Sequence, residues 1–101
     1  MTRETKPKIL ENNTIEYFRS NGERVIRLYR TDIVTFSPDG HSVTLDSGGY
    51  RTATTKDRMN RYSGFTISRI KRSWYIDGVP YYDGITIVDG KLPVVDNKPR
   101  R

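Results

Sequence analysis

Seven basic side chains cluster between residues 51 and 72, and this segment carries the whole charge imbalance of the chain. One acidic residue accompanies them, whereas the segments before and after contain equal numbers of basic and acidic residues. The seven are Arg51, Lys56, Arg58, Arg61, Arg69, Lys71 and Arg72. Their excess accounts for the formal net charge of +6. Because arginine presents a planar fork of donors that fits phosphate and carboxylate groups, we expect this segment to bind an anion.

The first part of the basic segment combines a glycine pair with a predicted helix start. Gly48 and Gly49 lack side chains, so a ligand could approach their backbone closely. A helix predicted near 54–62 follows, and the N–H groups at a helix N-terminus favour phosphate. The spacing does not match a Walker A motif. The predicted phosphate-binding residues are Gly48, Gly49, Arg51, Thr54, Thr55, Lys56, Arg58 and Arg61.

A purely structural interpretation of the same residues stays open. The glycine pair then forms a tight turn, Thr54 or Thr55 caps the helix with Asp57 in its first turn, and the arginines are solvated. Asp57 would also use part of the positive potential of the helix N-terminus. In either interpretation the spacing predicts three core residues and three exposed cations. The predicted core residues are Met59, Tyr62 and Trp74, and the predicted exposed cations are Lys56, Arg58 and Arg61.

The second part of the basic segment interleaves cations with aromatic rings. Such runs bind single strands or nucleotides by stacking combined with phosphate contacts. If residues 73–76 form a strand, the Tyr75 ring points away from the Trp74 ring, so Tyr75 is the better stacking candidate and Trp74 the core anchor. The predicted stacking residues and extended basic surface are Tyr50, Arg69, Lys71, Arg72 and Tyr75.

Residues that could support catalysis or bind a metal are few. His41, the single histidine, follows the predicted turn 37–40, where a solvated side chain is expected. Asp77, Asp83 and Asp89 each precede a glycine, which is typical of a tight turn rather than a magnesium site. Cysteine is absent, which excludes disulfides, cysteine-ligated zinc and thiol catalysis. We therefore expect a non-enzymatic protein with no metal and no cofactor.

Short strands separated by tight turns are predicted to position these residues. Asn-Gly and Asp-Gly pairs, which favour tight turns, occur at 21–22, 39–40, 77–78, 83–84 and 89–90. The runs between them are rich in β-branched and aromatic residues. The predicted strands are 14–18, 24–30, 32–36, 42–46, 65–70, 73–76, 80–82 and 85–88. The predicted fold class is mainly β (β-rich α+β), a small bent antiparallel sheet or partial barrel with one short helix near 54–62.

The length of 101 residues fits one domain, and the hydrophobic fraction of 34% predicts a small core. We expect a single β-rich domain at 9–95 between a flexible N-terminus at 1–8 and a flexible basic C-terminus at 96–101. No apolar run approaches the ~20 residues that span a membrane, and no signal-peptide pattern follows Met1. We therefore expect a cytoplasmic protein without a membrane partner.

Two stretches also resemble a family of small tailed-bacteriophage proteins. The first reads VTLDSGGYRTATTKDRMN at 43–60, and the second reads SWYI at 73–76 followed by PYYDG at 80–84. The similarity extends over about half of the chain. It implies a phage origin, a setting in the host-cell cytoplasm, and a role in phage–host conflict or accessory DNA metabolism.

Three hypotheses about function follow. In the first, the protein binds a phosphorylated ligand, either nucleic acid or a nucleotide signal, and so counters host defence. In the second, it is a protein–protein inhibitor that docks its basic face on a host protein; in the third, it is a minor virion or assembly component. Steep weakening by salt would favour polynucleotide binding over a packed protein interface. Edge strands and exposed tyrosines are also compatible with a symmetric homodimer.

Overall fold

The computed structural model describes residues 6–93, which form nine strands and one helix. Strands β1 to β9 are Lys8–Glu11, Thr14–Phe18, Arg24–Leu28, Thr31–Phe36, Ser42–Leu45, Ile67–Ile70, Ser73–Ile76, Val79–Pro80 and Ile85–Val88, and helix α1 is Ala53–Tyr62. The predicted β-rich fold with one short helix is confirmed. The strands form two antiparallel sheets rather than a single bent sheet, and neither sheet closes into a barrel.

The larger sheet has the strand order β1-β2-β3-β4-β5-β9. Its last strand returns from far along the chain, so that Ser42 of β5 pairs with Val88 of β9. Helix α1 and the smaller sheet, β6-β7-β8, are inserted in the chain between these two strands. The basic segment 51–72 lies within this insertion, which therefore positions the cations of the candidate site.

Tight turns occur where the Asp-Gly pairs predict them. Asp77 and Asp89 have φ angles of 47° and 54°, and the glycine that follows each also has a positive φ. Two consecutive positive φ angles are what a type I′ hairpin turn requires. At the predicted 37–40 turn, the Gly40 N–H donates to the Ser37 carbonyl at 2.9 Å, which confirms the β4–β5 hairpin.

One hydrophobic core joins both sheets and the helix. Ile26, Ile33 and Leu45 from the larger sheet, Met59 from α1 and Ile67 from the smaller sheet are essentially inaccessible to solvent. Trp74 and Tyr81 complete this cluster at its end nearest the start of α1. The predicted core positions of Met59 and Trp74 are thus confirmed. Tyr62 packs half-buried against the cluster, and its hydroxyl donates to the Glu11 carboxylate.

Strand β1 has no clear signal in the sequence. It contains only the apolar pair Ile9-Leu10 between charged residues, and Ile9 remains exposed. The strand forms because Leu10 packs against the core while the backbone pairs with β2. Lys8, which the sequence places in a flexible segment, begins this strand. Residues 6 and 7 belong to no strand, and residues 1–5 and 94–101, which include the remainder of the predicted flexible ends, lie outside the described residues.

Candidate functional site

Four of the predicted cations surround one cavity of about 360 Å³ at the start of α1. Arg51 precedes the helix, Lys56 follows in its first turns, Arg69 belongs to β6, and Arg72 lies in the β6–β7 turn. We call this cavity the basic pocket. Its lining residues are Arg51, Thr52, Ala53, Lys56, Arg69, Arg72 and Trp74. The hairpin of the smaller sheet therefore brings two cations alongside the two at the helix start.

The four cations of the basic pocket lie within ion-pair distance of no carboxylate among residues 6–93. The arginines of the larger sheet differ: Arg19 and Arg27 share Asp32, and Arg24 pairs with Glu16. Like charges gathered around one cavity repel each other, and a bound anion would relieve that repulsion. The basic pocket is consequently a local excess of positive charge with room for an anionic group.

Arg51 is positioned by aromatic rings. Its guanidinium lies 5.6 Å from the centroid of the Trp74 ring and 5.1 Å from that of the Tyr81 ring. Those two rings pack against each other with centroids 5.4 Å apart. A cation–π contact holds an arginine without neutralising its charge. Aromatic contacts thus hold Arg51 beside the basic pocket without an ion pair to a carboxylate among the described residues.

Asp83 is hydrogen-bonded to Tyr81, one of these two rings. It accepts hydrogen bonds from the Tyr81 hydroxyl at 2.6 Å and from the Ser47 N–H at 2.8 Å. Burial alone would raise the pKa of Asp83, but the hydrogen bonds from Tyr81 and Ser47, together with the positive charge of Arg51, outweigh it and lower that pKa. Burial and the bond to Asp83 raise the pKa of the Tyr81 phenol. The chain after β5 is therefore tied to the loop before β9.

The first turn of α1 contributes backbone donors to the basic pocket. Thr52 is the N-cap, and its hydroxyl accepts from the Thr55 N–H at 3.1 Å. The N–H groups of Ala53, which lines the basic pocket, and of Thr54, which does not, donate to no acceptor within the described part of the chain. Unsatisfied N–H groups at a helix start carry partial positive charge and favour anions. Helix and side chains thus present the same sign of charge at this place.

The predicted cap of α1 is wrong. The helix begins at Ala53 rather than at the following residues, so Thr52 takes the capping role assigned to Thr54 or Thr55. The same shift leaves the first turn without an acidic residue, because Asp57 now falls in the second turn. Asp57 therefore does not lie at the positive end of the helix dipole, where it would compete with a bound anion.

Gly48 and Gly49 form a tight turn and do not line the basic pocket. Their φ angles are +65° and +88°. The Gly48 N–H donates to the Asp46 carboxylate at 2.7 Å, and the Gly49 N–H donates to the Ser47 hydroxyl at 3.1 Å. A Cβ at Gly48 would lie 2.8 Å from the Thr31 Cγ2. The close approach permitted by Gly48 is used by Thr31 of the same chain, and both amides already have acceptors within the protein.

Arg58 and Arg61 belong to a separate ion-pair cluster with Asp57 and Glu11. Arg58 is only 14% exposed; it lies 2.6 Å from Asp57, and its Nε donates to the buried Thr14 hydroxyl at 2.9 Å. Arg61 lies 3.2 Å from Glu11 and is 56% exposed. The predicted exposure of Arg61 is right, and that of Lys56 is wrong, because Lys56 is half-buried. That of Arg58 is wrong, because β1 and β2 supply acceptors that cover it.

Three further residues predicted for the site do not line the basic pocket. Lys71 is exposed in the β6–β7 turn beside Arg72, with a φ of 60°. Tyr75 is half-buried on the face of β7 opposite to Trp74, as the alternation of a strand predicts. Thr54 is exposed on α1. The basic pocket therefore draws on four of the predicted cations and does not extend to these residues.

A second cavity, of about 550 Å³, shares Thr52 with the basic pocket. Its walls are largely apolar, and we call it the tyrosine cleft. Its lining residues are Leu28, Tyr29, Arg30, Thr31, Tyr50, Thr52 and Thr55. Of these, Tyr50 and Thr55 are predicted ligand-binding residues. Tyr29 and Arg30 are not, because the β3–β4 turn carries no local signal that it lies beside residue 50.

His41 and the turn aspartates form no metal site. His41 is exposed, and its Nδ1 lies 2.7 Å from the Asp89 carboxylate. The hydrogen bond to Asp89 raises the pKa of His41. Among residues 6–93, no group of three or more potential ligands lies close enough together to hold a metal ion. Within the same range no helix is long and apolar enough to cross a membrane.

Comparison with known proteins places most of the chain in one family. Residues 2–88 match the family model described as Kyanoviridae Gp96 protein. This match supports the resemblance to a phage protein family. No curated protein and no solved structure matches the chain.

Proposed function

We propose that this chain, which belongs to the Kyanoviridae Gp96 family of phage proteins, is a non-enzymatic protein that binds a phosphorylated ligand in the basic pocket. The ligand is nucleic acid or a nucleotide signal, met in the cytoplasm of the host cell, where its capture counters host defence. The observation that carries this proposal is the convergence of Arg51, Lys56, Arg69 and Arg72 on one cavity without a carboxylate partner among the described residues.

The geometry favours phosphate over other anions for two reasons. Arginine forks match the tetrahedral oxygens of phosphate, and three of the four cations are arginines. The helix start adds the N–H group of Ala53, a donor type that phosphate uses in many proteins. A carboxylate offers fewer acceptor oxygens, so it would leave more of these donors without a partner.

A second candidate function is docking of the basic face on a host protein. The observation that favours it is Ile70, which is 57% exposed at the end of β6 between the cations Arg69 and Arg72. An exposed apolar side chain with flanking arginines is typical of protein interfaces. Binding of this kind would depend on the apolar contact and would weaken only moderately with salt.

Fluorescence of Trp74, the single tryptophan and a lining residue of the basic pocket, tests the proposal. The protein would be titrated with inorganic pyrophosphate, with nucleotides and with oligothymidylate at several salt concentrations. We expect saturable changes in emission and, for the oligonucleotide, affinity that falls steeply with salt. The double variant Arg69→Ala with Arg72→Ala should lose about a hundredfold or more, since each charge-assisted contact contributes on the order of 1.5–3 kcal/mol.

The matched control removes the same charge elsewhere. Lys8→Ala with Lys91→Ala changes two exposed lysines that lie outside both cavities. If this control weakens binding as much as the arginine pair, only net charge matters and the proposed site is wrong. Absence of binding to every phosphate ligand, with a host protein retained at high salt, would favour the docking function instead.

A further inference from the structure

The tyrosine cleft presents two aromatic rings to solvent next to the basic pocket. Tyr29 and Tyr50 are 65% and 67% exposed, and Leu28, which is almost fully buried, also lines the cleft. Flat, exposed aromatic surfaces stack favourably on nucleobases, whatever the base. A cavity of about 550 Å³ falls in the usual range for small-ligand sites. The cleft therefore has the shape and surface that a base requires.

The two cavities share one lining residue at the start of α1. Tyr50 lines the tyrosine cleft, the next residue, Arg51, lines the basic pocket, and Thr52 lines both. A ligand that spans Thr52 would place an apolar, flat part on one side and an anionic part on the other. A nucleotide has this division, because its base and its phosphate are joined through one sugar.

The backbone at Tyr29 is in an unusual conformation. Its φ is 56°, a region that bulky side chains seldom adopt. Contacts at both ends hold it there: the Tyr29 N–H donates to the Asn13 carbonyl at 2.8 Å, and its hydroxyl accepts from the Asn13 Nδ2 at 3.1 Å. Residues held in such regions are frequent at ligand sites. Asn13 thus fixes the direction of an exposed ring on the wall of the tyrosine cleft.

We infer that the tyrosine cleft binds an unpaired nucleobase by stacking on Tyr29 and Tyr50, while the attached phosphate occupies the basic pocket. This inference rests on the proposed phosphate binding and narrows it to a nucleotide unit, either free or within a single strand. Duplex nucleic acid is disfavoured, because its bases are stacked on one another and their faces are not available.

The test compares ligands that differ only in their bases. Oligothymidylate and an abasic strand with the same number of phosphates would be titrated by fluorescence anisotropy. We expect the abasic strand to bind at least about fivefold more weakly, the low end of the effect of one base–aromatic stack. If a nucleoside triphosphate displaces the oligothymidylate better than inorganic triphosphate does, the inference is supported and the cleft accepts a free nucleotide. If oligothymidylate binds more strongly than the abasic strand but the nucleoside triphosphate does not compete better, the inference is supported and the base belongs to a single strand.

Variants of the cleft separate stacking from folding. Tyr50→Ala and Tyr29→Asn remove the rings, and asparagine tolerates the positive φ at position 29. Both should weaken oligothymidylate binding at least about fivefold and leave binding of the abasic strand unchanged. Tyr50→Phe keeps the ring and should retain wild-type affinity. Tyr82 is an exposed tyrosine outside the cleft, so Tyr82→Ala should have no effect.

Equal affinities for the abasic and normal strands, or tyrosine variants that bind both strands as the wild type does, would overturn the inference. In that case Arg69→Ala with Arg72→Ala still reports on the proposed phosphate binding. Loss of affinity in the arginine variant alone means that phosphate binds without a base contact. Loss in neither variant contradicts both proposals.

Discussion

The Arg51 guanidinium lies over the Trp74 ring, 5.6 Å from its centroid. Trp74 is 3% exposed and belongs to the hydrophobic core, and it also lines the basic pocket. The packing of the smaller sheet against the helix therefore affects the position of Arg51, a candidate phosphate-binding residue. A change that disturbs the core near Trp74 should also disturb the basic pocket, whereas removal of Arg51 should leave the core intact.

Replacement of Trp74 by alanine should strongly destabilise the fold. Removal of a buried aromatic side chain leaves a cavity and typically costs about 3–5 kcal/mol. Urea denaturation followed by circular dichroism measures the free energy of unfolding without the lost fluorophore. Trp74→Phe is the matched control and should cost less, because it keeps a ring against Tyr81. An unchanged free energy of unfolding in Trp74→Ala would show that the ring does not support the core.

Arg58 and Arg61 should differ in their importance for stability although both pair with carboxylates. Arg58→Ala leaves the buried Thr14 hydroxyl without its donor and should cost about 1.5–3 kcal/mol. Arg61→Ala removes an exposed pair and should cost less than about 1 kcal/mol. Denaturant titrations of the two variants measure the difference. Neither variant should change affinity for phosphate ligands, and equal destabilisation by both would contradict the described cluster.

Gly48→Ala should destabilise the turn before the helix for two reasons. The new Cβ would lie 2.8 Å from the Thr31 Cγ2, and the φ of +65° is unfavourable for alanine. We expect a loss of more than about 1 kcal/mol in thermal or chemical denaturation. Gly49→Ala is the matched control. A Cβ there meets nothing within 4 Å, so only the unfavourable positive φ destabilises that variant. In a Thr31→Ser background, Gly48→Ala should cost less; an unchanged cost would exclude the steric explanation.

The Asp83 carboxylate should make stability depend on pH in the acidic range. Its pKa in the folded protein is lowered below the ordinary value of 3.8. The ionised form is therefore favoured by folding, so this stability is present above pH 3.8 and is lost as the pH falls through the lower folded pKa. Asp83→Asn should lose stability at neutral pH and show a smaller decline on acidification. Tyr81→Phe removes one hydrogen bond to the carboxylate and should give an intermediate decline; identical acid profiles for all three proteins would contradict this role.

Local signals in the sequence predict most of the elements. Asp77-Gly78 and Asp89-Gly90 specify turns because both residues tolerate positive φ. Gly64, which follows the helix with a φ of +87°, is a residue type that commonly ends a helix. Each of these features depends on a few neighbouring residues. The sequence is therefore sufficient for the β-rich class and for the place of the helix.

Features that depend on distant partners could not be predicted in this way. The pairing of β5 with β9 joins Ser42 to Val88, and the burial of Arg58 depends on Glu11 and Thr14 in the first two strands. In the candidate site, the clustering of cations in the sequence includes the four that line the basic pocket, but the predicted phosphate site also included Gly48, Gly49 and Arg61, which do not line it. The clustering does not indicate that Arg58 is instead neutralised by carboxylates. Long-range contacts decide which cations remain available.

The most direct test of the account is the double variant Arg51→Ala with Lys56→Ala, measured for both affinity and melting. Removal of two charge-assisted contacts should weaken phosphate-ligand binding about a hundredfold or more. The melting temperature should fall only slightly, because both side chains lie at the surface of the basic pocket and Arg51 contributes on the order of 1 kcal/mol through its aromatic contacts. Lys8→Ala with Lys91→Ala should leave both quantities close to those of the wild type. Lost affinity with a retained fold is the result we predict, and wild-type affinity in the Arg51 and Lys56 variant would contradict an anion site at the start of α1.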